Sequence, residues 1–408
     1  MNVRALLSVL IACVLAACAH APKHGAARGP VILVSIDGFR ADYLQRGITP
    51  ALSALAAEGA QAAMRPSFPS VTFPNHYAMI TGLRPDKNGI VANAMDDPAM
   101  PGRRFTMANR AVAADPRWWN EAEPLWVAAE RQGVRTATMF WPGSDYEIRD
   151  VRPRAWRAFD QGAPSEARVD QVLAWLAAPA AERPRFLTLY LDIVDTAGHN
   201  AGPDAPALDA ALRQADAAIA RLVAGLRAQG LYDAANLVIV ADHGMAATPA
   251  GQLIDLDALF DPKAADPIVR GPMAMLAPAP GREGEVEAAV LGRRGHMECW
   301  RKSELPARFH YGRNPRVAAI VCLADVGWLI VSRSRPDGYF RSRGAHGYDP
   351  EAPEMAALFI ARGPAIRSGV RLEPFDNVDV YPLVAHLAGV RPQAHDGTLA
   401  SFAAALEP

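Results

Sequence analysis

The sequence predicts an α/β protein whose mostly parallel central sheet carries helices on both faces. Five continuous apolar runs, at 31–36, 136–140, 186–191, 237–241 and 355–361, have the length and β-branched content of strands buried on both faces. Helical periodicity fills the segments between them, and strands alternating with helices give parallel sheets with two helical layers. A third observation concerns where chemistry gathers. Three of the runs end in acidic residues, two of those ends also carry a histidine, and open α/β sheets place ligand sites just beyond the carboxyl ends of their strands.

Taken in order, the chain opens with MNVRALLSVLIACVLAAC, one positive charge at Arg4 followed by an uncharged run at 5–17. That run is well short of the roughly 20 apolar residues a membrane-spanning helix needs, so it reads as an export signal. It closes on Leu15-Ala16-Ala17-Cys18, which resembles the lipobox of bacterial lipoproteins, where the cysteine is acylated and becomes the mature N-terminus. Cleavage after Ala21 is the alternative. Either route implies export, and the first implies a periplasmic protein anchored to the membrane by lipid at Cys18. Residues 19–29 are small and polar with Pro and Gly, and read as a tether. A first core segment is expected at 30–245 and a last one at 346–408. Between them, at 246–345, Pro, Gly and Arg become frequent and only short β-like pieces appear, at 317–323 and 327–332, which suggests an inserted α+β subdomain.

Within the core, residues 48–59 carry Leu52, Leu55 and Ala56 at helical spacing and stop at Gly59. The clearest helix covers 208–226, where Leu208, Leu212, Ala215, Ile219, Leu222 and Leu226 form one apolar stripe. The near balance of 43 acidic and 42 basic residues, with no basic stripe, argues against a nucleic-acid-binding surface. Cys299 and Cys322 are the two cysteines beyond the leader, and in an oxidising compartment they invite a disulfide.

Thr72 stands at a helix start. Pro74 suits the first turn, and Tyr77, Ile80 and Leu83 follow at helical spacing. Amide N–H groups at such a start favour an anion, although a threonine there is equally at home as a helix cap. Further on, Asp37 follows the first strand, Asp195 and His199 follow the third, Asp242 and His243 follow the fourth, and His346 lies in a small-residue loop. Carboxylate and imidazole ligands in this mixture suit Zn²⁺, and the set is large enough for two sites with open positions. His76 and the remaining histidines read as hydrogen-bonded structural residues.

Together these motifs resemble the nucleotide pyrophosphatase/phosphodiesterase family of the alkaline phosphatase superfamily. The resemblance rests on Ser35-Ile36-Asp37-Gly38, Val71-Thr72-Phe73-Pro74-Asn75-His76, Gly89-Ile90-Val91-Ala92-Asn93, Asp195-Thr196-Ala197-Gly198-His199, Asp242-His243-Gly244-Met245 and His346-Gly347-Tyr348. WPGSDYEI at 141–148 and YGRNPRV at 311–317 belong to the same ordered set. The resemblance implies an alkaline-phosphatase-like fold and two Zn²⁺ per chain. Asp195, His199 and His346 would hold the ion that binds the substrate phosphate. Asp37, Asp242 and His243 would hold the other, with Thr72 attached to it as the activated nucleophile. Asn93 would donate to a non-bridging phosphate oxygen, and Phe73 would stack on a nucleobase, with Trp156 or Phe159 as its second face. Hydrolysis would pass through a phospho-threonine.

The neutral Asn93, and the lack of Arg or Lys in 71–76, favour a phosphodiester or pyrophosphate over a monoester. The expected partner is therefore a small nucleotide. Alternative readings are a phospholipid-headgroup or phosphonate ester hydrolase with the same site, and a lipoprotein that binds nucleotide or metal without turnover.

Overall fold

A computed structural model of the chain describes residues 29–407. The leader with Cys18, and the tether up to residue 28, lie outside the described residues. The central sheet is built from β1 (Val31–Ile36), β2 (Ala60–Arg65), β3 (Thr136–Met139), β4 (Ala155–Arg157), β5 (Phe186–Leu191), β6 (Asn236–Val240), β7 (Ala357–Arg362), β8 (Val370–Arg371) and β9 (Phe375–Asp376). Their order is β8-β2-β7-β6-β1-β5-β3-β4, and β9 also pairs with β2. Every neighbouring pair is parallel except those made by β7, which runs antiparallel to β6 and β2. The sheet is thus mixed, with one reversed strand. All six residues of β1 are buried, as its unbroken VILVSI requires. The peripheral β2 lacks that signal: AQAAMR has no β-branched residue, and its middle is only half-buried.

Register is what gathers the acidic strand ends. Ile36 faces Leu191 and Ser35 faces Val240, so the residues that follow β1, β5 and β6 emerge side by side. Adjacent strands lie about 4.8 Å apart, which is ligand-sharing distance.

Helices α1 (Pro50–Glu58), α2 (Thr72–Thr81), α3 (Ser165–Leu176), α4 (Ile193–Ala201), α5 (Pro206–Ala228) and α6 (Val380–Ala388) supply most of the outer layers. The apolar stripe of α5 is buried from Leu208 to Leu226, and each such Leu or Ile contributes about 1.5–3 kcal/mol relative to exposure. One polar residue interrupts it. The buried Asp216 carboxylate accepts from the amides of Ala51 (3.1 Å) and Leu52 (2.8 Å), so α5 caps the start of α1, where Thr49 makes no side-chain cap.

After β6 the chain leaves the core through Ala246–Ala247 and returns through Gly344–Ala345, and these two pieces pair with each other. Between them lies a five-stranded antiparallel sheet of Ala265–Val269, Met273–Pro278, Ile320–Ala324, Met297–Arg301 and Gly292–Arg294, with the helix Glu283–Val290. Cys299 and Cys322 face each other on adjacent strands, with Cα atoms 4.0 Å apart, and form a disulfide. Closing a loop of this length removes about 3 kcal/mol of chain entropy from the unfolded state. Among the described residues, no helix is long and apolar enough to cross a membrane.

Candidate active site

Thr72 opens α2, but it does not cap it. The cap position is Val71, in extended conformation and without a side-chain cap bond. The Thr72 hydroxyl lies instead 3.4 Å from His243 Nε2. The next amide, that of Phe73, is not free for an anion either: it donates to Asn93 Oδ1 at 2.9 Å. That bond fixes the Asn93 side chain and leaves its amide nitrogen without a partner among the described residues. Below the helix, Gly38 has φ +69°, and a Cβ there would come within 2.9 Å of the Asp195 Cα, so only glycine lets the β1 turn approach α4 this closely.

The acidic and imidazole groups form adjoining clusters, one of which contains His243. Asp195, His199 and His346 offer ligand atoms within 4.8 Å of one another, as do Asp37, Asp195 and His243. Asp242 joins through His243, whose Nε2 is 2.9 Å from Asp242 Oδ2 and 3.5 Å from Asp37 Oδ1. The sequence reading grouped Asp37, Asp242 and His243. In the structure Asp37 also approaches Asp195, so the two groups adjoin.

The histidine tautomers follow from the carbonyls they meet. Nδ1 of His199 donates to Gly344 O (2.8 Å), Nδ1 of His243 to Gly244 O (2.9 Å) and Nδ1 of His346 to Ser70 O (3.0 Å). Nε2 is thereby left as the cluster-facing nitrogen of each ring: His199 and His346 both stand 3.5 Å from Asp195 Oδ1, and while burial would lower His243, Asp242 outweighs it and raises that imidazole. Acceptors facing acceptors repel unless a cation lies between them. Asp37 Oδ1, Asp195 Oδ1 and Asp242 Oδ2 are buried and have no hydrogen-bond partner, which is the condition expected of oxygens reserved for a metal.

His76 differs. It belongs by distance to a further group with Asp37 and Asp242, but its Nδ1 donates to Thr72 O (2.9 Å) and its Nε2 accepts from Ser35 Oγ (2.7 Å). With both nitrogens engaged it acts as a brace for Thr72 and Asp242.

Charge tells the same story. Burial, with Asp242 and Asp195 beside it, pushes the Asp37 carboxyl well up, although Tyr190 donates to it at 2.5 Å. Burial would also raise Asp242, but His243 and His76 outweigh it and hold that carboxyl low. Burial, then His243 and His199, drive His346 well down, so it stays a neutral donor. Three carboxylates and three imidazoles this close together, with Asp37, Asp242, His243 and His346 buried, call for added positive charge.

Beside the cluster lies a cavity of about 350 Å³, whose lining includes Asp37, Thr72, Phe73, Tyr146, Phe159 and Asp195. Phe73 is backed by Phe105 (6.0 Å) and Trp119 (6.2 Å), so its ring is held in place at the wall. Phe159 shares the cavity, as the sequence allowed. Trp156 is not among its lining residues, and the Arg152 guanidinium covers the Trp156 ring at 4.9 Å. Tyr146, inside the WPGSDYEI segment, was missed as an aromatic wall, and so was Tyr190, which braces Asp37. Two ion pairs also went unread. Arg110 pairs with Asp145, and the almost fully buried Arg168 pairs with Asp192 at 2.7 Å. Charge patterning along the chain could not pair residues 24 to 35 positions apart.

The family profile described as Type I phosphodiesterase / nucleotide pyrophosphatase matches residues 31–349. An uncharacterized pyrophosphatase/phosphodiesterase of Schizosaccharomyces pombe is 38% identical over 381 residues, covering 90% of this chain and 78% of its own. Human ectonucleotide pyrophosphatase/phosphodiesterase family member 1 is 34% identical over 91% of this chain, which spans only 41% of that longer protein. Murine ectonucleotide pyrophosphatase/phosphodiesterase 5 superposes with a TM-score of 0.88 at 32% identity, covering 93% of this chain and 100% of that one. The murine protein has also been solved as an inactive threonine-to-alanine variant in complex with AMP. On the profile match, the identity and the shared fold, the chain belongs to the type I phosphodiesterase / nucleotide pyrophosphatase family of hydrolases.

Proposed function

We propose that this protein is an exported, zinc-dependent phosphodiesterase that hydrolyses phosphodiester or pyrophosphate bonds of nucleotides, with Thr72 as nucleophile. The observation that carries the reading is the set of three partnerless buried carboxylate oxygens, on Asp37, Asp195 and Asp242, in the cluster whose His243 Nε2 lies 3.4 Å from the Thr72 hydroxyl. Asp195, His199 and His346 would hold one zinc ion, and Asp37, Asp242 and His243 the other, with Thr72 at its edge. The two ions would supply what a threonine lacks at neutral pH, namely a lowered hydroxyl pKa and compensation of phosphate charge.

The remaining roles belong to the chain itself. His76 accepts from Ser35 and donates to Thr72 O, which fixes the first turn of α2 and with it the direction of the nucleophile. Thr72 Oγ1 bonds to phosphorus as the ester or anhydride oxygen departs, and water then cleaves the phospho-threonine. Asn93, clamped by the Phe73 amide, offers its free N–H to a non-bridging phosphate oxygen. Phe73 and Tyr146 form aromatic walls for the nucleobase, and stacking of this kind accepts any base. Every residue given a role lies in 30–245 or 346–408, the two segments read as the catalytic core.

A diester is favoured over a monoester because the guanidinium lining the cavity, Arg110, is neutralised by Asp145. No spare cation stands on that side for a second phosphate charge. With the nitrophenyl ester of thymidine monophosphate and with nitrophenyl phosphate, kcat/KM is expected to favour the diester by at least about 100-fold, roughly one charge-assisted contact. A monoester preference would refute this substrate reading. Anchoring is part of the proposal: palmitate is expected to label the mature protein, and a Cys18→Ser variant to lose the label.

A further inference from the structure

A second cavity of about 350 Å³ touches the same cluster from another side. Its lining is His199, Asn200, Asp337, Gly338, Tyr339, Arg341 and Ser342. The nucleoside cavity meets α4 at Asp195 and Thr196, and this one meets it at His199 and Asn200, four residues along. That is one helical turn, about 6 Å, so the Asp195–His199–His346 group lies between two hollows.

The two hollows differ in charge. On the nucleoside side Arg110 is matched by Asp145, and Asp192 by Arg168. On the other side the Asp337 carboxylate is spent, since it accepts from Arg270 Nε at 2.8 Å and from the Tyr339 amide at 3.0 Å. Arg341 is exposed and makes no ion pair or side-chain hydrogen bond among the described residues, and the Asn200 amide has no partner there either. Apart from Asp37 and Asp195, which belong to the cluster, the first hollow is charge-balanced and aromatic, while the other presents one uncompensated cation beside an unengaged amide.

We infer that the second cavity is the subsite for the departing half of the substrate, and that Arg341 makes it select leaving groups bearing phosphate charge. This deepens the phosphodiesterase reading and rests on it. A substrate phosphorus at the cluster would direct its nucleoside toward Phe73 and its leaving oxygen toward His199 and Arg341. Of the substrates already proposed, those with a pyrophosphate bond would reach both cavities. Esters with uncharged leaving groups would use only the first cavity. Arg341 is a specificity residue in this scheme, because it engages a part of the substrate that does not react.

The test compares thymidine triphosphate with the nitrophenyl ester of thymidine monophosphate, which share a nucleoside and differ in leaving group. In Arg341→Ala, the ratio of kcat/KM for triphosphate over nitrophenyl ester is expected to fall about tenfold, the scale of one exposed charge-assisted contact. Arg341→Lys should recover most of that ratio, since a point charge suffices. Inorganic pyrophosphate, as an inhibitor of nitrophenyl ester hydrolysis, should show a Ki about tenfold higher in Arg341→Ala. A ratio and a pyrophosphate Ki within twofold of the native protein would overturn the inference and leave the phosphodiesterase reading standing. An equal loss on both substrates would also overturn it, because Arg341 would then support the site as a whole. If the native protein cleaves neither compound, the underlying reading falls and the inference with it.

Discussion

Thr72→Ala is expected to lower kcat/KM for a nucleotide diester by at least about 1000-fold, since removing the nucleophile of a covalent mechanism leaves only binding and electrostatic assistance. The change deletes a hydroxyl and a methyl from a residue that is only 8% exposed and does not cap its helix, so the loss should not come from unfolding. Asp37, Asp242 and His243 hold their positions through Tyr190, the Gly38 amide and Gly244 O, none of which involves the Thr72 side chain. Zinc content measured by elemental analysis should therefore stay within a few tenths of an ion of the native value, and AMP should still bind. A variant that keeps its metal and its activity would remove Thr72 from the mechanism. A variant that loses both would place Thr72 among groups needed to hold the ions.

Treatment with a strong chelator should abolish hydrolysis, and zinc added back should restore it. The physical reason is the cluster itself: Asp37, Asp195 and Asp242 each keep a buried oxygen without a partner, and three Nε2 atoms point among them. Without cations, Asp37 is pushed toward its protonated form by burial and by its two acidic neighbours, so stripping the metal should be accompanied by proton uptake. Zinc at 100 to 1000 times its dissociation constant should add about 3–4 kcal/mol of stability, seen as a melting temperature about 5 °C above that of the stripped protein. Recovery by magnesium or calcium but not zinc would overturn the zinc assignment. An unchanged melting temperature would place the metals elsewhere.

Legibility differed by element for identifiable reasons. The strand and helix alternation could be read because burial on both faces leaves unbroken apolar runs, as in VILVSI and FLTLYL, while a helix with one buried face leaves the stripe seen at 208–226. Strands such as β2, β4, β8 and β9 could not be read, because each is short or half-exposed and owes its conformation to a neighbour. Asp216 is another case. Nothing in its own stretch signals that it caps a helix 165 residues earlier in the chain. The His76–Ser35 brace and the charge pairs beside the aromatic cavity were equally invisible, since they join groups 24 to 41 positions apart in the chain.

By itself the sequence determined the residue types and their local settings: Asp195 and His199 one helical turn apart, acidic residues directly after buried strands, and a threonine two residues before Pro74 at the start of a helix. These are short-range properties, set by periodicity and by the backbone preferences of Pro and Gly. Only the tertiary structure decided that β1 lies between β5 and β6, which brings three strand ends to one point. It also decided that three imidazoles turn their Nδ1 atoms to carbonyls, and that the charges cancel in one hollow and not in the other. Strand order, tautomer and charge balance depend on which distant groups meet, and that is fixed by packing, not by any stretch of sequence.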